Sequence, residues 1–296
     1  MKSLIFTIVF LALGVIPAAR AADFDAARAW DQLLAQCAFG PRNPGSDGHQ
    51  ECLHYLEAEL KKYAPVVERQ TFSAVQPVTK EPLRLTNLIA RFPGPGTRRV
   101  LLCAHWDTRP WADQDPNPEN RDEPILGAND GASGVAVLLE IARCLAAEPP
   151  PVGVDIVLFD GEDMGREGHL EEYLLGSREY AASLSPPLPE AAILLDIVGG
   201  KGMRIPRELY SLQKARRLQE EIYAIARRLN QYVFVNEQGS AVYDDHIPLL
   251  EAGIPAVDLI DFSYPYWHTL QDVPANCSPK ALEAVGKVVL AWVRGR

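Results

Sequence analysis

Apolar runs of strand length alternate along this chain with runs of helical periodicity, and this alternation limits the fold more than any other feature. The strand-like runs are rich in Val, Ile and Leu, whereas the helix-like runs repeat their apolar residues every three or four positions. In chain order the strands are 99–104, 154–159, 192–195, 232–235 and 256–260, and the helices are 131–147, 208–229 and 280–293. The pattern predicts an α/β fold with a mixed, largely parallel central sheet flanked by helices.

The amino terminus has the features of a secretory signal peptide. Lys2 supplies a positive charge, an apolar run follows it, and small residues at Ala19 and Ala21 fit a cleavage site. The apolar run is shorter than the roughly 20 residues of a membrane-spanning helix, so we expect no stable membrane anchor. We therefore predict a signal peptide over residues 1–21, a single domain over residues 22–296, and a secreted or periplasmic protein.

Acidic residues outnumber basic ones, 39 to 29, and the formal net charge is −10. Nucleic acids and anionic membranes bind basic surfaces, so we expect neither as a partner.

The five cysteines include no C-x-x-C pair, which argues against a thiolate zinc site. An exported protein can form disulfides, although an odd number leaves at least one thiol unpaired within the chain. Cys37 and Cys52 are the two cysteines of the amino-terminal region. We predict a bridge between them.

Two long polar segments interrupt the alternation, at residues 108–126 and 164–175. Long loops in compact domains are usually functional. Because both segments follow predicted strands with acidic ends, we expect them to border a site.

Acidic and histidine side chains follow the predicted strands, and the carboxyl ends of parallel strands are where ligands of such sheets bind. They are His105, Asp107, Asp130, Glu162, Asp163, Asp196 and, in the last loop, His268. Singly, each has an ordinary explanation; Asp130 could cap the next helix, and His268 could be a packed histidine. Together they predict a ligand-binding or catalytic site at the carboxyl ends of the strands.

Carboxylates and histidine without cysteine suit a catalytic zinc, which uses three protein ligands and keeps one position open. Glu162 and Asp163 are neighbours, so their side chains point in different directions. One can bind the metal while the other acts as general base and acid. Gly161 permits a tight turn before them.

Five motifs resemble the zinc aminopeptidase superfamily in order and spacing. They are HWD at 105–107, GANDGASG at 127–134, DGED at 160–163, GSREYA at 176–181 and LLDIVGG at 194–200. Four more segments resemble the glutaminyl-peptide cyclotransferases: RNPGS at 42–46, NLIARFPG at 87–94, VYDDHIPLLEAGIPAVDLIDF at 242–262 and YWHTLQD at 266–272. The resemblance runs from about Phe39 to the carboxyl terminus. It implies peptide or protein substrates with N-terminal glutamine, which is closed into pyroglutamate with release of ammonia.

The resemblance also implies the metal ligands. Asp130, Asp163 and His268 match the positions that hold one zinc ion per chain. His105 and Asp107 match positions kept from two-metal aminopeptidases, and in a one-metal enzyme they are expected to lie behind the ligands.

For the reaction itself, the resemblance implies that Glu162 transfers protons. Asp196 and Asp244 match acids of a hydrogen-bond network near the leaving group. The expected aromatic wall of the glutamine pocket is Trp267, with Tyr264 and Tyr266 nearby.

Three positions depart from the animal enzymes. Asp163 stands where they have a glutamate, Asp258 replaces a histidine, and residues 164–170 lack an aromatic where they have a pocket tryptophan. These differences bear on substrate affinity more than on the reaction.

Two alternatives stay open. His105, Asp130 and Asp196 could complete a second metal site, as in a two-zinc aminopeptidase that uses water as nucleophile. A non-catalytic peptide-binding domain is the other alternative, but such a domain is expected to have lost ligands, and this chain keeps them all.

Overall fold

The computed structural model describes residues 22–296, so the predicted signal peptide lies outside the described residues. Within this range the chain forms eight strands and eight α-helices. The strands are β1 (Val66–Val75), β2 (Pro82–Phe92), β3 (Arg99–His105), β4 (Gly153–Phe159), β5 (Ala192–Asp196), β6 (Ile205–Arg207), β7 (Phe234–Gln238) and β8 (Ala256–Ile260). The helices are α1 (Ala26–Ala38), α2 (Asp47–Lys61), α3 (Ala132–Ala147), α4 (Leu175–Ser183), α5 (Leu209–Lys214), α6 (Arg216–Arg228), α7 (His246–Glu251) and α8 (Pro279–Arg294).

The main sheet has six strands in the order β1-β2-β4-β3-β5-β8. The four strands β4, β3, β5 and β8 are parallel, and the β1–β2 hairpin joins them antiparallel through β2. The predicted mixed, largely parallel sheet is therefore confirmed. Strands β6 and β7 form a separate two-stranded sheet.

The parallel strands are buried on both faces, which is why the sequence shows them as continuous apolar runs. All seven residues of β4 are buried, and so are the five residues of β5 and of β8. Helices α1, α3 and α8 pack against one another beside one face of the sheet. Across residues 22–296, no helix is both long enough and apolar enough to cross a lipid bilayer.

Two predicted elements differ from the structure. The helix expected at 208–229 is divided at Ala215, whose φ of −132° and ψ of 33° interrupt the helical backbone. Ala215 is buried in the main core, at the junction of α5 and α6. The strand expected at 232–235 forms two residues later, as β7.

The predicted bridge between Cys37 and Cys52 is wrong, because both thiols are free. Cys52 lies on α2 inside the main core, and Cys37 packs on the same core from α1. Burial raises the pKa of the Cys37 thiol to about 11 and that of the Cys52 thiol to about 12. Both therefore serve as small apolar side chains.

Candidate active site

One cavity lies at the carboxyl ends of the parallel strands and has a volume of about 290 Å³. The two polar segments expected to border a site both contribute to its wall, 108–126 through Arg109 and 164–175 through Tyr173. Among the residues singled out from the sequence, those that line the cavity are Asp130, Glu162, Asp163, Asp196, Asp244, Trp267 and His268.

Asp130, Asp163 and His268 are buried and present atoms close enough to hold one cation. The Nε2 atom of His268 lies 3.2 Å from Asp163 Oδ2 and 3.7 Å from Asp130 Oδ2. Both carboxylate oxygens are buried without a hydrogen-bond partner. An unpaired buried charge is costly, and a divalent cation removes that cost. Two carboxylates and an imidazole therefore fit zinc here.

Arg109 contacts Asp163 directly and reaches His268 through Asp113, and no pattern in the sequence singled it out. Its side chain is 1 % exposed, and Nη1 donates to Asp163 Oδ1 at 2.7 Å. Its Nε and Nη2 atoms donate to the two oxygens of Asp113, at 2.9 Å and 2.6 Å. Asp113 in turn lies 3.2 Å from His268 Nδ1. Arg109 thus fixes Asp163 directly and holds Asp113 beside His268, which leaves Oδ2 of Asp163 and Nε2 of His268 for a metal.

Asp130 is fixed from two sides. Its backbone N–H, together with that of Asn129, donates to the carboxylate of Asp272, at distances of 3.0 Å and 2.9 Å. The Nε2 atom of His105 lies 3.2 Å from Asp130 Oδ1 and 3.0 Å from Asp196 Oδ1. His105, Asp130 and Asp196 are thus a second group close enough to hold a cation, and it shares Asp130 with the first.

Asp107 holds the turn that presents the two adjacent acids. Its Oδ1 accepts the N–H of Glu162 at 3.1 Å, and its Oδ2 accepts that of Asp163 at 3.3 Å. Gly161 has a φ of +72°, and a Cβ there would meet a Leu85 methyl at 2.6 Å. A glycine is therefore needed for the turn.

Three carboxyl groups of the cavity have raised pKa values. Burial, followed by the charge of Asp163, raises the pKa of Glu162 well above its ordinary value. Burial raises the pKa of Asp196 to about 6. Burial, reinforced by the charge of Asp196, raises the pKa of Asp244 to about 7. Asp196 and Asp244 can therefore exchange protons near neutral pH, and perturbed pKa values of this kind are common at catalytic sites.

The aromatic residues divide into those at the cavity and those behind it. Trp267 lines the cavity and stacks on His268, with ring centroids 3.7 Å apart. Tyr173 supplies an aromatic wall just beyond the segment 164–170, in which none was found. The structure does not bring Tyr264 and Tyr266 to the cavity wall. Tyr264 is buried and donates to Asp272 at 3.0 Å, and Tyr266 packs edge-on against Tyr264.

The backbone around the site is strained at two non-glycine residues. His268 has a φ of +55°, and Ile197, which follows Asp196, has a φ of +48°. Such conformations cost free energy and cluster at functional sites. The N–H of Gln114 donates to the carbonyl of His268 at 3.1 Å and so supports the unusual backbone.

A second polar cluster lies behind Asp244 and was not found from the sequence. Glu208 caps the amino terminus of α5, and its carboxylate accepts the N–H groups of Tyr210, Ser211 and Val242. It also lies 3.3 Å from Nε2 of His246. Burial alone would raise the pKa of Glu208, but His246 and the N–H of Ser211 lower it to about 2. Glu208 therefore ties α5 to the segment that carries Asp244.

Comparison with known proteins identifies the family of this chain. The model of peptidase family M28 matches residues 87–293. The glutaminyl-peptide cyclotransferase-like protein of Mus musculus is 28% identical over 304 aligned positions, which cover 92% of this chain and 76% of that protein.

Two solved structures share nearly the whole fold. The glutaminyl cyclase of Tannerella forsythia is 38% identical with a TM-score of 0.87, over 93% of this chain and 99% of the other. A leucine aminopeptidase precursor from Bacteroides thetaiotaomicron is 33% identical with a TM-score of 0.89, over 94% and 100% of the two chains. The chain therefore belongs to peptidase family M28 and, within it, is a relative of the glutaminyl-peptide cyclotransferases.

Proposed function

We propose that this protein is a zinc-dependent glutaminyl-peptide cyclotransferase, which converts the N-terminal glutamine of peptides or proteins into pyroglutamate. The observation that carries the proposal is the arrangement at one cavity of Asp130, Asp163 and His268 with Glu162 beside them. Relatives named as glutaminyl cyclases, at 38% identity and below, support the same reaction.

In this proposal Asp130, Asp163 and His268 hold one zinc ion per chain. When bound, zinc supplies Lewis-acid polarisation of the substrate's side-chain amide carbonyl. The contacts of Arg109 and Asp113 with these ligands keep the unpaired ligand atoms directed to one point. The metal site is therefore preorganised.

The glutamine side chain enters the cavity, and Trp267 and Tyr173 form aromatic parts of its wall. The reaction is intramolecular, because the nucleophile is the substrate's own α-amine. The task of the cavity is therefore to fold the glutamine so that its amine approaches its side-chain carbonyl. A water nucleophile is not required.

Glu162 is the proton carrier. A bond forms between the α-nitrogen and the side-chain carbonyl carbon, and Glu162 accepts the proton that the amine loses. It delivers that proton to the amide nitrogen as the carbon–nitrogen bond breaks, and ammonia leaves. The raised pKa of Glu162 suits a group that must both take and release a proton.

Asp196 and Asp244 line the same cavity and orient the amine and the leaving group. His105 holds Asp196, with its Nε2 3.0 Å from Asp196 Oδ1. Asp107 keeps Glu162 and Asp163 in place through their backbone N–H groups.

The second candidate is a two-zinc aminopeptidase. It is favoured by the group of His105, Asp130 and Asp196 and by the similarity to a leucine aminopeptidase precursor. In that enzyme His105 would be a metal ligand, and an activated water would cleave the peptide bond.

One experiment separates the two reactions. The purified protein is incubated with peptides of equal length that begin with glutamine, glutamate, leucine or alanine, and the products are identified by mass spectrometry. We expect the glutamine peptide to lose one ammonia and acquire a blocked amino terminus. The leucine and alanine peptides should remain intact, and glutamate should react far more slowly because a carboxylate is a poor electrophile. Free leucine without pyroglutamate would instead establish the aminopeptidase.

We also propose that residues 1–21 are removed on export to the periplasm or the medium. The charged start, the apolar run and the small residues at Ala19 and Ala21 support this. Amino-terminal sequencing of the mature protein should begin near Ala22, and an intact Met1 on exported protein would contradict it.

A further inference from the structure

The polar cluster behind Asp244 contains three buried side chains whose polar atoms are not fully paired. Asp244, His246 and Asp258 each present a ligand atom within 4.8 Å of those of the other two. Oδ2 of Asp244, Nδ1 of His246 and both oxygens of Asp258 have no hydrogen-bond partner among residues 22–296. Buried polar atoms are normally paired, so unpaired atoms that converge in this way indicate a ligand.

The other two acids of the cluster are held by different groups. The carboxylate of Glu208 accepts three backbone N–H groups. One oxygen of Asp245 accepts the hydroxyl of Ser177 at 2.5 Å. The convergent unpaired atoms therefore belong to two aspartates and one histidine, and these three residues define the site.

Two carboxylates and one imidazole suit zinc or a similar divalent cation, as they do at the proposed zinc site. Nδ1 of His246 lies 3.9 Å from Asp258 Oδ2, whereas two tetrahedral ligands of one zinc ion lie about 3.4 Å apart. The ligand atoms must therefore move together to bind zinc. Asp258 also lacks a partner of the kind that Arg109 provides for Asp163. We expect zinc to bind here about 10- to 100-fold more weakly than at the first site, the usual effect of absent orienting groups.

Asp244 belongs both to this cluster and to the active-site cavity. Its Oδ1 accepts the N–H of Asp245 at 2.5 Å, so Oδ2 is the oxygen available to a substrate or to a cation. A cation on Oδ2 withdraws this oxygen from the substrate's amine and leaving group. The cavity also gives an ion from solution a route to the cluster.

We propose that Asp244, His246 and Asp258 form an inhibitory site for a second divalent cation, which binds more weakly than the first. The inhibition rests on the proposed function, whereas the binding of the ion does not. This ion differs from the second zinc of an aminopeptidase, which would occupy His105, Asp130 and Asp196 and would be needed for turnover.

The site is tested by titrating protein that carries one zinc ion with zinc chloride. Binding is followed by calorimetry, and pyroglutamate formation from a glutamine peptide is measured in parallel. We expect a second, weaker ion to bind and turnover to fall about 10- to 100-fold as it does, the usual effect of losing one hydrogen bond to a charged group. Asp258→Asn should weaken the second ion at least about tenfold and relieve the inhibition, while turnover with one zinc ion is retained.

Glu171→Gln is the matched control. His169, Glu171 and Glu172 form another group that could hold a cation, but Glu171 lies outside the active-site cavity. This variant should leave the second ion and the inhibition unchanged. Melting temperatures of the one-zinc forms show whether the variants are folded. A wild-type crystal soaked in excess zinc tests the site without any substitution, because an anomalous peak should lie between His246 and Asp258.

The outcomes separate this inference from the proposed function. No second ion in the wild type, with pyroglutamate still formed, overturns the inference and leaves the function standing. Inhibition that persists unchanged in Asp258→Asn, or a second anomalous peak elsewhere, overturns the assignment to this cluster. No pyroglutamate at one zinc ion per chain overturns the function, and calorimetry and the anomalous peak then decide the binding site alone.

Discussion

Replacing Arg109 should weaken zinc binding although no proposed metal ligand is substituted. The Arg109→Lys substitution keeps the positive charge but removes the planar fork of the guanidinium. Arg109 donates at 2.7 Å to Asp163 and at 2.6 Å and 2.9 Å to Asp113. A single ammonium group cannot span both carboxylates in this geometry. Asp163 and, through Asp113, His268 should therefore lose their fixed orientation.

The size of the effect follows from these contacts. A hydrogen bond to a charged group contributes about 1.5–3 kcal/mol, and the substitution removes at least one of them. A bound zinc ion restores part of the lost order, since it fixes the ligands itself. We therefore expect zinc affinity to fall about 10- to 100-fold, the usual range for the loss of a group that orients metal ligands. Because the charge is kept, altered repulsion of the cation does not explain such a change.

The assay is competition for zinc against a chelator of known affinity, with thermal melting of the metal-free and zinc-loaded proteins in parallel. Arg166→Lys is the matched control, because Arg166 also forks onto one carboxylate, that of Glu172, but does not line the cavity. It should leave zinc affinity unchanged. A folded Arg109→Lys protein that binds zinc as tightly as the wild type would refute the reasoning. A uniform loss of stability with unchanged affinity would refute it equally.

Three further predictions concern the acids and the metal. Glu162→Gln should retain zinc but lose at least about 10²-fold in turnover, because an amide cannot carry the proton; near-normal kcat with zinc bound would remove Glu162 from the mechanism. One zinc per chain should be bound, and a chelator should abolish activity that zinc restores; two tightly bound ions, both needed for turnover, would assign the protein to the aminopeptidases. Glu208→Gln should lower the free energy of unfolding by about 3 kcal/mol at pH 6–7, because the pKa of Glu208 falls to about 2 on folding. Since a lowered carboxyl pKa stabilises the fold above its unfolded value, the difference from wild type should shrink as pH falls from about 4.5 towards 2, and a difference independent of pH in denaturant titrations would contradict it.

The parallel strands could be located from the sequence because burial on both faces leaves few polar residues in them. The observed β3, β4, β5 and β8 begin and end within one residue of the predicted runs. The hairpin of β1 and β2 was not predicted. Strand β1 is an edge strand whose residues are all exposed or half-buried, so it lacks the apolar run that identified the others.

The residues that orient the metal ligands could not be predicted, because they act across long sequence separations. Arg109 and Asp163 are 54 positions apart, and an arginine in a polar loop usually indicates a solvated side chain. The role of Asp113 likewise depends on its position beside His268, which only the folded structure shows. Tyr264 was expected near the glutamine pocket because it lies four positions before His268 in the sequence. Its hydroxyl instead donates to Asp272 behind the cavity.

The two candidate reactions make different demands on one atom, Nε2 of His105. This atom lies between Asp130 Oδ1 and Asp196 Oδ1, at 3.2 Å and 3.0 Å. If it carries a hydrogen, it satisfies the two oxygens that a second cation would use, and Asp130 keeps only Oδ2 for the first. If it binds a metal, it cannot donate to either. Cyclisation needs only the first arrangement, because the substrate's amine replaces the water that a second cation would help to activate. The same set of side chains therefore suits cyclisation when this atom carries a hydrogen and two-metal hydrolysis when it binds a cation.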